Sequence, residues 1–435
     1  MKGTVAAARV ALAVVLVGAI AQTGISVAAA KSPPVITFGS WGGSAENQQL
    51  LAIVQQINAR NRGRFVLKNI NVNSNYEQKL EVELAAGSAP DIFYVNNSML
   101  PTFESQHVLF NITPYLSHHK NAQYLDAVED PANYLPVTLR EATYHGQYYA
   151  LPWIAMPVVT YVNPVLFRKA HLALPSMNWT WSDFLKDARA ITDAKAGIYG
   201  YLQANGWPPV QLYLWSYGGH ILNASGTRAT VDSQRAIRGL ELMSTFVKDG
   251  VVPPQAAIAN VAIEDLFRAG KLGMFIGGAD DGVYNTRGFT ATVATVPRGT
   301  HAANFLWMAD LAVNRRAPDK NVVMDAYFQL LAAIDHWKIV SPVLPFATAK
   351  VIESVNLHNP HAPQDHTPAS RIPVIMASLK HAQRYRMLKN AAEMGKYWTV
   401  LSNDLYEPLL LQKETPQQAA QATAKALDAV IAAGH

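Results

Sequence analysis

The sequence predicts an α/β fold with mostly parallel sheets, on three observations. Strand-like and helix-like stretches alternate from Val35 onward, the strand-like ones run into loops rich in glycine and asparagine, and the 435 residues are half hydrophobic and only 15% charged. Alternation of that kind builds parallel sheets flanked by helices. A chain of this length exceeds one ordinary core, so two domains are expected.

Val35 to Ser40 (VITFGS) is β-branched and aromatic enough for a short strand, and it ends in Trp41-Gly42-Gly43. Glu46 to Asn58 places Leu50, Leu51, Val54 and Ile57 at helical spacing. Arg64 to Asn69 reads as the second strand, Tyr76 to Ala86 as a helix stopped by Gly87, and Ile92 to Val95 as the third strand, leading into Asn96-Asn97-Ser98. Ligands of open α/β sheets bind beyond the carboxyl ends of the strands, which singles out Trp41-Gly42-Gly43 and Asn96-Asn97-Ser98. In GQYYALPWIAMPVVTYVNPVLF, residues 146–167, Val158 to Val162 is a strand and Asn163-Pro164 opens a helix. Pro152 and Pro157 make Leu151 to Pro157 a stiff loop, either a packing plug or the wall of a binding site. Further on, Thr180 caps a helix with Asp183 at its third position, and Val261 to Ala269 is a helix ended by Gly270. Leu272 to Ile276 is a buried strand running into Gly277-Gly278-Ala279-Asp280-Asp281, and Thr415-Pro416 opens a C-terminal helix reaching about Ala433.

The first thirty residues read as an export signal: Lys2 and Arg9, then the apolar run Val10 to Ile20, then Ala28-Ala29-Ala30, with cleavage expected after Ala30. The alternative, an uncleaved anchor, needs ~20 apolar residues, more than this run supplies. The mature chain is expected in the periplasm or on the outer face of the cell envelope. There is no cysteine, hence no disulfide, no thiolate metal site, no cysteine nucleophile and no lipid-bearing cysteine after the signal. Removing Lys2 and Arg9 takes the formal charge from +5 to +3, with basic residues scattered, which argues against nucleic acid as a partner.

Catalytic signatures are absent: no G-x-x-x-x-G-K-[ST], G-x-G-x-x-G after a strand, G-x-S-x-G or H-E-x-x-H occurs, so no catalytic residue and no cofactor is assigned. Asp91, Asp280, Asp281 and Asp310 keep open an exported glycosidase working through paired carboxylates. His358, His361 and His366 with Asp365, and the pair His118-His119, sit in polar loops where solvated histidines are commoner than ligands, so no metal is expected. The informative excess is nine tryptophans. Trp41, Trp153, Trp207, Trp215 and Trp307 fall in loops or at strand ends beside glycine or proline, whereas Trp337 and Trp398 sit in helical patterns and are expected to pack. Rings at a cleft offer flat apolar faces to a sugar while amides and carboxylates take its hydroxyls.

Several stretches together resemble the family 1 extracellular solute-binding proteins of ABC importers, the maltose-binding-protein-like group. They are ITFGSWGG; AAGSAPDIFYV followed by LFNITPYL; GQYYALPW, VTYVNPVLFRKAHL and WTWSDFLKDARAIT; DLFRAGKLGMFIGG; FLWMADLAVNR followed by DAYFQLLAAI; and TPQQAAQATAKALDAVIAA. The resemblance implies a two-lobed periplasmic-binding-protein fold, each lobe a mostly parallel sheet flanked by helices, joined by hinge strands. By matching, lobe one covers about 31–145 plus 302–345 and lobe two about 146–301 plus 346–435, which makes Leu151 to Pro157 the cleft wall of lobe two. It also implies ligand contacts at Trp41, Gly42, Asn96, Asn97, Ser98, Trp153, Tyr161, Gly278, Asp280 and Trp307, to which the tryptophan argument adds Trp207 and Trp215. The implied role is capture of a mono- or oligosaccharide by a monomer that delivers it to membrane permease subunits, without catalysis. A non-sugar solute is the other alternative, and Asp280-Asp281 would favour a cation over an anion. Two departures stand out: the lipid-bearing cysteine is missing, and FLWMADLAV lacks the family's glycine pair.

Overall fold

A computed structural model describes residues 32–434, apart from 43, 73–74, 97–98, 119–124, 141, 259–260, 280–282, 284–285, 287, 336, 338–339 and 359–368. The expected signal and cleavage site lie outside the described residues. Among the described residues no helix is long and apolar enough to cross a membrane.

The chain opens as its pattern dictates. β1 (Val35–Trp41), α1 (Ser44–Arg60), β2 (Val66–Val72), α2 (Tyr76–Ala86) and β3 (Ile92–Asn96) alternate, and β2 and β3 flank β1 in parallel. Leu50, Val54 and Ile57 turn one face of α1 into the core, as their helical spacing requires. Gly87 closes α2 in the left-handed region (φ 74°), its N–H meeting the carbonyls of Glu83 and Leu84. A short hairpin follows, β4 (Thr143–Tyr144) against β5 (Gln147–Tyr148).

Two long strands then carry the molecule. β6 (Ala150–Val162) runs through thirteen residues, and β9 (Asn304–Val313) returns antiparallel to it, with β7 (Met274–Gly278) and β8 (Thr292–Ala294) between them in sequence. The strand order is β2-β1-β3-β9-β6-β7, with β8 on β6 and β10 (Ala382–Gln383) parallel to the start of β9. Leu151 to Pro157 is therefore strand, which corrects the expectation of a loop. Proline normally interrupts a ladder because it lacks an N–H. Here Pro152 adjoins a bulge at Trp153, where the register slips between Pro152–Asp310 and Ile154–Ala309. Pro157 is the last β6 residue paired with β9, and from Val158 onward β6 pairs with β7 instead. Both prolines sit where the ladder is already broken.

The same two strands run through two cores. Leu151, Trp153 and Ile154 of β6, with Ala309 to Val313 of β9, pack in a first core with β1–β3, α1, α2 and the helix Lys320–Ile334. Val158 and Val162 of β6, with Phe305 of β9, pack in a second with the helices Trp181–Ile191, Gln234–Lys248 and Pro416–Ala433. Capping boxes form at both of the helix starts read from sequence, Thr180 with Asp183 and Thr415 with Gln418. On the other face of β6, Tyr161 lies in a third cluster with Phe267 and Phe275. Trp307 packs partly against both main cores.

Candidate functional site

Where β6 and β9 pass from the first core to the second, the structure holds a cavity of about 520 Å³. Asn96, the last residue of β3, reaches it from the first core's side, and residues of the second core supply most of the remaining wall. β9 forms part of that wall with Phe305 and Trp307, two residues apart and thus on one face of the strand.

Aromatic rings build it from Phe305 outward. Tyr385 and Trp215 lie nearly parallel to Phe305 at 6.2 and 6.5 Å between centroids, and Trp207 meets it edge-on at 6.3 Å. The Trp207 ring is anchored because Nε1–H donates to the Ile276 carbonyl at 2.8 Å. Arg384, only 6% exposed, donates through Nη1 to the Leu306 carbonyl at 2.8 Å and lies over the Tyr385 ring at 4.6 Å. Trp398, on the helix Met394–Val400, meets Tyr385 edge-on at 5.0 Å and remains 36% exposed. Polar groups stand among the rings. The Tyr406 hydroxyl accepts the Val210 N–H at 2.6 Å, and burial pushes its pKa up, so it stays neutral. Asn205 donates to Ser402 Oγ at 3.0 Å, and Gln211 to the Tyr397 hydroxyl at 3.4 Å. Flat faces alternating with amides and hydroxyls suit a small ligand that is apolar on its faces and hydroxylated at its rim. The described lining residues include no carboxylate and no histidine.

Of the residues predicted from sequence, the cavity brings together Asn96, Trp207 and Trp307. Trp41 stands half-buried at the end of β1, edge-on to Tyr76 at 5.1 Å, and does not line it. Gly42 (φ 137°) beside it accepts a hydrogen bond from Asn71 Nδ2 at 3.0 Å. Trp215 is 4% exposed behind Phe305. Two further expected contacts are buried away from the cavity. Trp153 is 1% exposed, stacked between Tyr94 at 4.5 Å and Trp337 at 6.2 Å in the first core, so its ring offers no free face. Tyr161 is fully buried, parallel to Phe275 at 4.8 Å, and donates to the carbonyl of Gly278, itself buried in β7. Asn97, Ser98 and Asp280 lie outside the described residues.

Sequence reasoning missed Phe305, Arg384, Tyr385 and Tyr406, and it assigned Trp398 to packing. The signal it passed over is the aromatic run Tyr385, Tyr397, Trp398, Tyr406 late in the chain. Among the described residues no cluster of histidines and carboxylates could hold a metal. His361, His366 and His119 lie outside them.

Residues 52–325 match the family model described as bacterial extracellular solute-binding protein. The fold is similar to an ABC substrate-binding protein of Listeria monocytogenes solved with cycloalternan, at TM-score 0.78 and 22% identity over 92% of this chain and 100% of that one. It is also similar to a solute-binding protein of Thermotoga lettingae bound with alpha-D-tagatose, at TM-score 0.72 and 19% identity over 92% and 100%. A maltose-bound protein of T. maritima superposes at TM-score 0.69 and 20% identity over 90% and 98%. These are two-lobed binding proteins, and the likeness establishes the same fold here. Sequence relatives in Brucella abortus, whose names claim no more than a binding role, are 27% identical over 226 residues, 49% of this chain. The chain spans about half the length of those curated relatives, 52%.

Proposed function

Because the chain belongs to the bacterial extracellular solute-binding proteins, we propose that it is the substrate-binding component of an ABC importer. Its ligand is a mono- or oligosaccharide, and it performs no catalysis. The observation that carries this reading is the aromatic-lined cavity at the junction of two cores, with Asn96 on one side, Trp207, Tyr385 and Trp398 on the other, and Trp307 on the crossing strand. Cycloalternan, tagatose and maltose in the similar structures support a sugar.

The lobes are those matched from sequence, about 31–145 plus 302–345 and about 146–301 plus 346–435. The division of buried residues between two cores supports two lobes of that kind, with the crossings inside β6 and β9, since Leu151, Trp153 and Ile154 pack in the first core and Phe305 in the second. Ligand bridging the lobes favours the closed form by its differential affinity for it. The export signal, cleaved after Ala30, delivers a monomer outside the cytoplasm, where the closed form docks on the permease. The glycosidase alternative needs two carboxylates flanking a sugar bond, and the described lining supplies none.

Calorimetric titration against a panel of sugars, polyols and amines tests the reading, with scattering in parallel. A sugar should bind and shrink the radius of gyration. Binding confined to a polyol or amine would replace the sugar, and shortened oligosaccharide products would replace binding with hydrolysis.

A further inference from the structure

We propose that a second site, on the far face of the hinge strands, binds a small anion. Successive residues of a strand face opposite sides. Phe305 and Trp307 line the aromatic cavity, whereas Asn304 lines a separate recess of about 220 Å³. That recess lies between three segments of chain, at 177–179, 295–304 and 377–381.

Its sign is one-sided. Arg298, Lys380 and His381 line it, and no carboxylate does among the described residues. All three side chains are exposed, and none makes an ion pair or a side-chain hydrogen bond among the described residues. Asp183 is near enough to feel the charge of Arg298, yet its pKa is lowered first by hydrogen bonds from Thr180, whose N–H and hydroxyl occupy its Oδ2. A guanidinium and an ammonium facing one recess without a counter-charge suit a phosphate or carboxylate.

The frame is fixed although the cationic side chains are not. The Arg298 N–H donates to the Trp179 carbonyl at 3.1 Å, and its carbonyl accepts from Trp181 N at 3.2 Å. The His381 carbonyl accepts from Asn304 N at 3.0 Å, which ties the recess to the first residue of β9. Asn304 in turn exchanges both side-chain hydrogen bonds with the backbone of Val158 in β6. An independent observation points the same way: Ser378 lines the recess, is 2% exposed, and its hydroxyl has no hydrogen-bond partner. A buried hydroxyl left unpaired is costly, and turning this side chain toward the recess would pair it with a bound anion oxygen. The recess is concave and of small-molecule size, which favours a free anion over an acidic protein surface.

The test uses the mature chain titrated calorimetrically with inorganic phosphate and, separately, with malate, against chloride at matched ionic strength. At least one anion should bind. Arg298→Gln with Lys380→Gln should weaken it at least tenfold while leaving sugar affinity and the anion-free melting temperature unchanged, because the side chains replaced are exposed and only their backbones are hydrogen-bonded. Trp207→Ala should leave anion binding intact. Phosphate alone or malate alone identifies the source of the anion. The proposal is overturned by no heat with either anion, by equal heats in parent and double variant, or by binding of a glutamate peptide in place of both. Sugar titration of the same samples reads the importer assignment separately.

Discussion

Replacing Trp153 with alanine should destabilise the fold without dissecting the ligand site. The ring is 1% exposed and lies between Tyr94 and Trp337 at interplanar angles of 15° and 20°. Truncating a buried tryptophan costs about 3–5 kcal/mol, the cavity left behind included. Losing two stacked partners adds ~0.5–1.5 kcal/mol each. One term runs the other way, since the indole N–H is buried without a partner and removing it recovers ~1–3 kcal/mol. The net remains about 3–5 kcal/mol, which at roughly 2–4 °C per kcal/mol for a lobe-sized unit lowers the melting temperature by on the order of 10 °C. Trp153→Phe keeps the stacking and deletes the unpaired donor, so it should recover most of the loss. The assay is ligand-free melting followed by circular dichroism, beside calorimetric titration of whichever sugar binds. A Trp153→Ala protein that melted like its parent but lost its affinity would refute the reasoning and put the ring in the site.

Trp398→Ala should do the reverse, weakening sugar affinity about tenfold or more with little change in melting, because the ring is 36% exposed on the cavity wall; calorimetry and melting on one preparation separate the two effects. Gly200→Ala should cost 1–3 kcal/mol or more in denaturant unfolding, since its Cβ would fall 2.1 Å from the Ala188 carbonyl oxygen, which is backbone and cannot swing aside. For His220, burial first and then Arg386 pull the pKa from 6.5 down to about 4. The folded state then binds fewer protons than the unfolded one between those values, so this histidine's contribution is intact above pH 6.5 and is lost as pH falls toward 4. Denaturant midpoints of His220→Gln and parent should therefore differ by a constant amount above pH 7 and shift relative to each other between 6.5 and 4; a difference constant throughout would contradict the assignment.

Elements set by near neighbours could be read from the sequence. The helix Tyr76–Ala86 ends at Gly87, and both capping boxes form, because a cap depends on residues three apart and a period on residues three or four apart. β6 could not be read in full, since Pro152 and Pro157 argue against a central strand unless one knows that the ladder bulges at Trp153 and changes partner after Pro157. The cavity was legible only in part for the same reason: Asn96, Trp207, Phe305, Tyr385 and Trp398 meet through long-range pairing that no local pattern encodes. The two tryptophans beside prolines make the point. Trp207 precedes Pro208 and lines the cavity, while Trp153 follows Pro152 and is buried in the first core. A neighbouring proline constrains the backbone that carries a ring, but which side of the sheet the ring occupies is decided by the strand's partner, and for β6 that partner is β9, more than a hundred residues away.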